Sequence, residues 1–434
     1  MKKTLFALAA VSAFAGSAQA QSSVTVYGLL DVGVLSTKGT EGRASTQASA
    51  IAAGYVNGGT LTTTAINSSN LATSRLGFRG TEDLGGGQSA GFVAEIGLTP
   101  TSNGFSGSGN SVSTPMGTTY VNNSSVLDSR QMFASLASKG LGEIRIGRQY
   151  TPVHEVVCAN NAGQCNAIAG DMIYSGANSS ATLTTANKAN DSYQIRASNS
   201  VRLSTENISG FRAAALYSMN IRDNDNPNVT AAAGTATSAQ GATDYRMYGL
   251  NAAFTGVKSL NISAAYQKTS LLRANAIVQT TGTDGTATVL GSSLVALTPG
   301  TQGAVNAEQT DTFANISYDF GVAKVALQTI ALSVHNFNVQ TLKRTANQVS
   351  VSAPITPTVS TFASYGIGKR SVWTAAGVLT RERDFSGFQL GSTYSLSKRT
   401  ALYGIYGQAA QKADTIGQID FKDQQYALGL RHTF

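Results

Sequence analysis

The side chains best placed to do chemistry in this chain are arginines: Arg75, Arg79, Arg130, Arg145, Arg148, Arg196 and Arg202. Most stand in stretches where polar and apolar residues alternate. Arg75 and Arg79 share one face of an extended segment with Gly77, while Leu76 and Phe78 take the other. The same parity sets Arg130 against Phe133, Arg196 against Ile195, Arg202 against Val201, and Arg145 against Ile144 and Ile146. Guanidinium groups repeated along one face form and break no bonds, but they attract anions and create a field. Some should pair with wall carboxylates, and Glu95 and Glu143 are the candidates. Arg148 breaks the rule, because it shares parity with Ile144 and Ile146. An arginine cannot stay on an apolar face without a partner, so a bulge near Gly147 or the strand's end must release it.

Covalent and metal chemistry find little support. The histidines His154, His335 and His432 form neither a Ser/His/Asp spacing nor a metal-binding cluster. The glycines of "DLGGGQSAG" lack the lysine and hydroxyl ending of a phosphate loop and read as a hairpin turn. No cofactor is implied. The net basic balance does not indicate nucleic acid, since the arginines are spread over alternate strands and not clustered with aromatics. Cys158 and Cys165 are the whole thiol inventory; they close one small loop as a disulfide or remain as two thiols.

What positions the arginines is a series of strands. "SSVTVYGLLDVGVL" puts Val24, Val26, Leu30, Val32 and Val34 on one face and Thr25, Tyr27, Leu29 and Asp31 on the other. The pattern recurs near 71–81, 89–99, 126–136, 143–150 and 193–204, and onward through 323–334 and 345–353 to a last strand at 425–434, about sixteen in all. Turns such as "ASKGLG", "DFGVA" and "LSKRT" are short, whereas the connections at 36–70, 100–125, 151–192, 220–242, 270–309 and 409–424 are long and polar. Such alternation means antiparallel strands with one tight end and one elaborated end.

Residues 1–20 carry Lys2 and Lys3, an apolar run from Leu5 to Ala15 and an Ala18-x-Ala20 ending, the pattern of an export signal. Cleavage there leaves 21–434 as a single domain, with 29 basic residues against 23 acidic ones. No apolar run of about 18 residues follows, so no transmembrane helix is expected. Charged residues are only 12% of the chain, too few to hold it open as a disordered polymer. A sandwich would need the second face of each strand buried as well. Closing an antiparallel sheet into one barrel removes both edges and lets the apolar face meet lipid while the polar face meets water. In the last strand, "YALGLRHTF", Tyr426, Leu428, Leu430, His432 and Phe434 would face lipid and Arg431 the lumen.

In order along the chain, "SSVTVYGLLDVGV", "SRLGFRGTEDLGGG", "GRQYTP", "SNSVRLST", "YSLSKRTALYGIY" and the terminal "RHTF" resemble landmarks of the general porins of Gram-negative outer membranes, especially the beta-proteobacterial type. The resemblance covers essentially the whole mature chain. It implies a homotrimer of up-and-down barrels in outer-membrane lipid, each an aqueous channel for small hydrophilic solutes and inorganic ions, narrowed by the third long loop folding inward. It matches Arg75, Arg130 and Arg148 to basic constriction positions and expects acidic residues on the inserted loop, where Glu155 and Asp171 are the candidates. The cysteine pair in "VHEVVCANNAGQCNAIAGD" departs from the family pattern. An outer-membrane adhesin or receptor, acting through its long loops, is the alternative reading of such a barrel; a barrel enzyme lacks a catalytic constellation.

Overall fold

Alternation that reaches both chain ends is resolved by pairing the ends with each other. In the computed structural model the first strand, β1 (Ser23–Thr40), lies antiparallel to the last, β16 (Phe421–Thr433), in a register running from Leu29 opposite Thr433 to Thr40 opposite Lys422. The structure describes residues 23–40, 60–101, 111–113, 119–121, 128–174, 193–222, 243–273, 279–281, 287–289, 305–374, 376–412 and 420–434. The export signal at 1–20 lies outside them. Between the two ends run β2 (Arg75–Gly85), β3 (Gln88–Gly97), β4 (Ser129–Ser138), β5 (Gly142–Tyr150), β6 (Arg196–Thr205), β7 (Phe211–Arg222), β8 (Thr243–Phe254) and β9 (Leu260–Arg273). They continue as β10 (Val305–Asp319), β11 (Lys324–Asn336), β12 (Val339–Pro354), β13 (Val359–Trp373), β14 (Leu379–Ser395) and β15 (Thr400–Gln411). Each pairs antiparallel with the next, giving the closed sixteen-strand up-and-down barrel that the alternation predicts.

The outward face is apolar along every wall. Val24, Val26, Leu30 and Val34 are exposed on β1, Leu402 on β15, and Tyr426, Leu428 and Leu430 on β16, while the alternate residues Asp31, Ala427 and Gln425 are buried. This face has no water-soluble explanation and requires lipid. Several strands differ in extent from expectation. The segment expected near 71–81 is β2 at 75–85, because residues 69–74 turn away from the wall and a short extra strand, Thr60–Ser68, pairs with the upper half of β1 instead. β11 and β12 reach further than 334 and 345, because Phe337 and Asn338, both at positive φ, turn the chain in a two-residue hairpin.

Phe434 closes the ring. Its amide donates to the Gly28 carbonyl at 3.1 Å and its carbonyl accepts from the Gly28 amide at 3.0 Å. Its ring lies over Gly28, where a Cβ would overlap the aromatic carbons. Deleting Phe434 removes both bonds, each contributing about 0.5–1.5 kcal/mol, together with the ring's contact at the seam. The expected outcome is a lower yield of heat-modifiable folded barrel, with Gly28→Val acting in the same direction. Yields equal to wild type for both variants would show that the terminal residue does not secure the seam.

Candidate functional site

The seven arginines singled out from the sequence lie on one wall, β2 to β6. On β2, Arg79 places its guanidinium 5.3 Å from the Tyr27 ring centroid, and Arg75 stands 4.0 Å from Glu95 on β3. Tyr27 donates its hydroxyl to the same carboxylate at 3.2 Å. Arg130 donates from Nε to Glu95 at 2.7 Å and from Nη2 to the Tyr150 hydroxyl at 2.8 Å, and is buried there. It reaches that position through a bulge: Glu95 pairs with Gln131 and Ile96 with Ser129, so Arg130 is the extra residue. The bulge also reverses the parity beyond it. Phe133, which simple alternation sets toward lipid, faces inward beneath the Arg145 guanidinium, 4.9 Å away.

Arg148 is released from the lipid face as its clash with parity requires. The β5–β6 register slips between Gly147 and Gln149, with Gly147 at φ +140°, and Arg148 donates to the Ser129 carbonyl at 2.8 Å and the Ser198 hydroxyl at 2.7 Å near the strand ends. Arg196 lies 5.3 Å over the Tyr150 ring. Ile195, expected toward lipid, packs instead against the buried apolar cluster inside the barrel. Arg145 pairs with Glu143 at 2.7 Å and Arg202 with Glu155 at 2.9 Å.

The chain after β5 crosses the lumen. Thr151 caps helix α1 (Pro152–Asn160), its hydroxyl accepting from the His154 amide, and Pro152 suits the first turn because its missing N–H needs no partner there. Val153, Val156 and Val157 bury against Ala265, Phe313 and Ile330, apolar residues on the inward face of β9 to β11. Cys158 and Cys165 are joined in a disulfide, closing the tip of the loop. The return segment lies on the opposite wall: the Ala169 amide donates to Gln425, the Met172 amide to Gln348, Gln389 Nε2 to the Ile168 carbonyl at 2.6 Å, and Arg344 to the Met172 carbonyl at 2.6 Å. Gly366, Gly387 and Gly407 on β13, β14 and β15 admit this approach, since a Cβ at any of them would meet Met172, Gly170 or Ala169.

A closed barrel with an apolar outer face and a loop across its lumen is the architecture of a channel. The model of the Gram-negative porin family matches residues 7–414. The chain belongs to the Gram-negative porin family. Outer membrane porin protein 32 of Delftia acidovorans is 28% identical over 448 residues, and an outer membrane porin protein of Bordetella pertussis is 27% identical over 469; both alignments span the whole of each chain. Among solved structures, an anion-selective porin from Comamonas acidovorans superposes with a TM-score of 0.60 at 21% identity, covering 95% of this chain and all of that one. OmpT of Vibrio cholerae in its trimer form superposes with a TM-score of 0.56 at 14% identity, covering 95% and 99%. These place the protein in the outer membrane.

Within this porin the residues singled out from sequence divide by exposure. Arg79 is exposed, and Arg75 and Arg148 are half-buried. Arg130 is sunk behind them. Of the loop acids, Glu155 accepts from Arg202 and from Asn251 at 3.3 Å. Asp171 does not face the passage. It is 2% exposed, with one oxygen accepting from Asn161 Nδ2 at 2.5 Å and the other from the Ile173 and Tyr174 amides at 2.8 Å, so its charge is spent holding the loop's own turn. His154 packs 4.6 Å from Tyr150, and burial, then the guanidinia of Arg196 and Arg130, push its imidazole down to about 3. It stays neutral and offers no general base. Among the described residues no cluster of metal-ligating side chains occurs.

Sequence reasoning missed how the porin anchors the loop from its second side. Asp31, assigned only to the lumen face, accepts from the Leu71 amide at 2.8 Å, the Ala72 amide at 2.6 Å and the Tyr403 hydroxyl at 2.5 Å. This carboxylate draws residues 69–74 inward, burying Leu71 against Ile168 of the loop, while the Asn70 carbonyl accepts from Ala167 at 2.9 Å. The available signal was the break in alternation between Ser68 and Arg75.

Proposed function

We propose that this porin conducts small hydrophilic solutes and inorganic ions by passive diffusion, as a homotrimer in outer-membrane lipid, with a weak preference for anions. The mature protein in this reading is the barrel of residues 21–434, released from a signal at 1–20. It works as a passive pore and not as an enzyme. The observation that carries the anion preference is the state of the charges on the β2–β6 wall. Arg79 is exposed and Arg75 shares the single carboxylate of Glu95 with Arg130, whereas Glu143 and Glu155 are each held by an arginine of their own. Uncompensated positive charge between low-dielectric walls raises the local anion concentration. The anion selectivity of the Comamonas porin, which shares this fold, agrees with this reading.

Reversal potentials across a planar bilayer in a salt gradient test it. Chloride should pass more readily than potassium, most clearly at low ionic strength, because the Debye length shrinks from about 30 Å at 0.01 M to about 10 Å at 0.1 M. The double substitution Arg75→Gln, Arg79→Gln should move the permeability ratio toward cations with the barrel intact, since neither side chain is buried. A wild-type channel that prefers cations, or a double variant with unchanged selectivity, would overturn the assignment. A folded barrel without conductance would point to the receptor or adhesin reading.

A further inference from the structure

Basic residues also line the barrel far from β2 to β6. Cross-strand pairing on β12 to β14 sets Arg344 opposite Arg370, and Arg370 opposite Arg383. Arg381 shares the face of Arg383 on β14 and stands opposite Val372. These side chains point into the barrel, because the next pair along the same faces, Gly368 and Phe385, belongs to its interior. Phe385 is buried in the apolar cluster, and a Cβ on Gly368 would meet its ring. Arg344 is buried, its guanidinium 4.7 Å over the Phe385 ring and donating to the Met172 carbonyl. Arg370, Arg381 and Arg383 are half-buried, so that part of each stays accessible. Gly366 and Gly387 mark the level of Met172, and Arg370 and Arg383 lie four residues from them toward the end opposite the short turns.

Like charges directly opposite each other on neighbouring strands, with Cβ atoms about 4.5–5.5 Å apart, destabilise a sheet. Here three arginines stand in one such row. The wall of β2 to β6 answers its arginines with Glu95, Glu143 and Glu155. β12 to β14 do not repeat that arrangement. Their acids, Glu382 and Asp384, take the other parity of β14, where Glu382 accepts from Lys369 at 2.8 Å and from the Ser371 hydroxyl at 3.1 Å. Along the sheet the row runs from Arg344 through Leu332 to Asp311, whose oxygens accept from Gln267 and Gln309 at 2.9 Å each. Asp171, in the loop beneath, holds its own turn. Positive charge is therefore concentrated on the one face of these strands that a solute in the lumen reaches.

We propose that Arg370, Arg381 and Arg383 form an anion-binding site at the loop-side mouth, which takes a compact divalent oxyanion, hydrogenphosphate or sulfate. The proposal rests on the reading of the lumen as an open channel. A planar guanidinium fork donates two parallel hydrogen bonds to two oxygens of one anion, and a tetrahedral dianion has oxygens for more than one fork. Chloride has a single charge and no such edge, so it meets the row as a field and not as a site. Arg344 does not touch the ligand; its charge adds to the field and its bond to Met172 ties the row to the loop. A dianion seated there separates the charges that sheet pairing forces together.

Calorimetric titration of the full, detergent-solubilised barrel with inorganic phosphate, buffered where the dianion predominates, tests the site. Binding should saturate, sulfate should reproduce it, and chloride at equal ionic strength should not. Arg370→Gln with Arg383→Gln should weaken phosphate binding about tenfold or more, the loss expected when charge-assisted hydrogen bonds are removed. Arg212→Gln removes a charge at the short-turn end of β7, on the parity of buried Ala214, and should leave binding within about twofold. If the double variant does not fold, Arg381→Gln carries the same comparison. In planar bilayers phosphate added on the loop side should reduce chloride current with saturation, and the double variant should need about tenfold more of it. Current without phosphate reports separately whether the channel is open: a barrel that binds phosphate but does not conduct refutes the channel reading and supports the site. Binding that never saturates, that chloride matches, that persists unchanged in the double variant, or that Arg212→Gln weakens equally, would overturn the proposal.

Discussion

Replacing Arg130 by glutamine should destabilise the barrel by about 3–5 kcal/mol, the cost of leaving a buried charge without its partner. Arg130 and Glu95 lie 2.7 Å apart with side chains 5% and 4% exposed, and the same guanidinium satisfies the Tyr150 hydroxyl. In the variant Glu95 keeps only Arg75, at 4.0 Å, and the Tyr27 hydroxyl. Arg130 therefore belongs to the frame of the pore, although its residue type and strand suggested a lining role. Adding Glu95→Gln to Arg130→Gln should recover most of the loss, because the double variant buries no charge. Arg79→Gln provides the contrast: its side chain is exposed and its main contact is the Tyr27 ring, so about 1 kcal/mol or less is expected. Urea titration of the detergent-refolded barrel measures all four proteins. An Arg130→Gln barrel as stable as wild type, or a double variant no better than the single, would show that the pair does not bear on folding.

The barrel was legible in the sequence because lipid and water impose opposite demands on alternate residues. Val24, Val26 and Leu30 against Tyr27, Leu29 and Asp31 carry that demand through a whole strand, and the structure places them as alternation requires. Even the conflict at Arg148 could be read, since an arginine in an apolar row has to be released somewhere, and Gly147 provides the place. The Arg130 bulge was not legible. One extra residue changes no local composition, so Phe133 was assigned to lipid when it lies inside; Ile195 was misplaced for another reason, since it precedes β6 and the strand's parity does not extend to it. The loop's seat was hidden for a different reason. Parity separates lumen from lipid but does not distinguish a residue facing water from one facing a loop, and the inward apolar residues Phe313, Ile330 and Phe385 are covered by α1 and Met172. For Glu155 and Asp171 the residue types were informative and their use was not, because an acid that staples its own turn has the same sequence appearance as one that lines a channel.

Gly407→Val should give a folded barrel with a larger single-channel conductance than wild type. Gly407 sits on the inner face of β15, and a Cβ there would overlap the Ala169 carbonyl and crowd Ile168. The strand cannot yield, because its backbone is paired to β14 and β16 along its length. The loop can. Lifting Ile168–Gly170 breaks the Gln389 bond to Ile168 and the Gln425 bond to Ala169, each contributing about 0.5–1.5 kcal/mol, and withdraws Ile168 from Leu71 and Tyr403. Valine is a strong strand former, so the β15 ladder itself should not weaken. Displacing the loop should widen the lumen where the loop crosses it and raise conductance, and the basic wall at Arg75 and Arg79, facing a wider passage, should select anions less. Gly404 on the same strand is the control: it points outward, where an added Cβ meets only the end of Leu428 at 3.1 Å. Gly404→Ala should conduct as wild type. If Gly407→Val retains wild-type conductance, or Gly404→Ala raises it equally, the loop does not set the width of the channel.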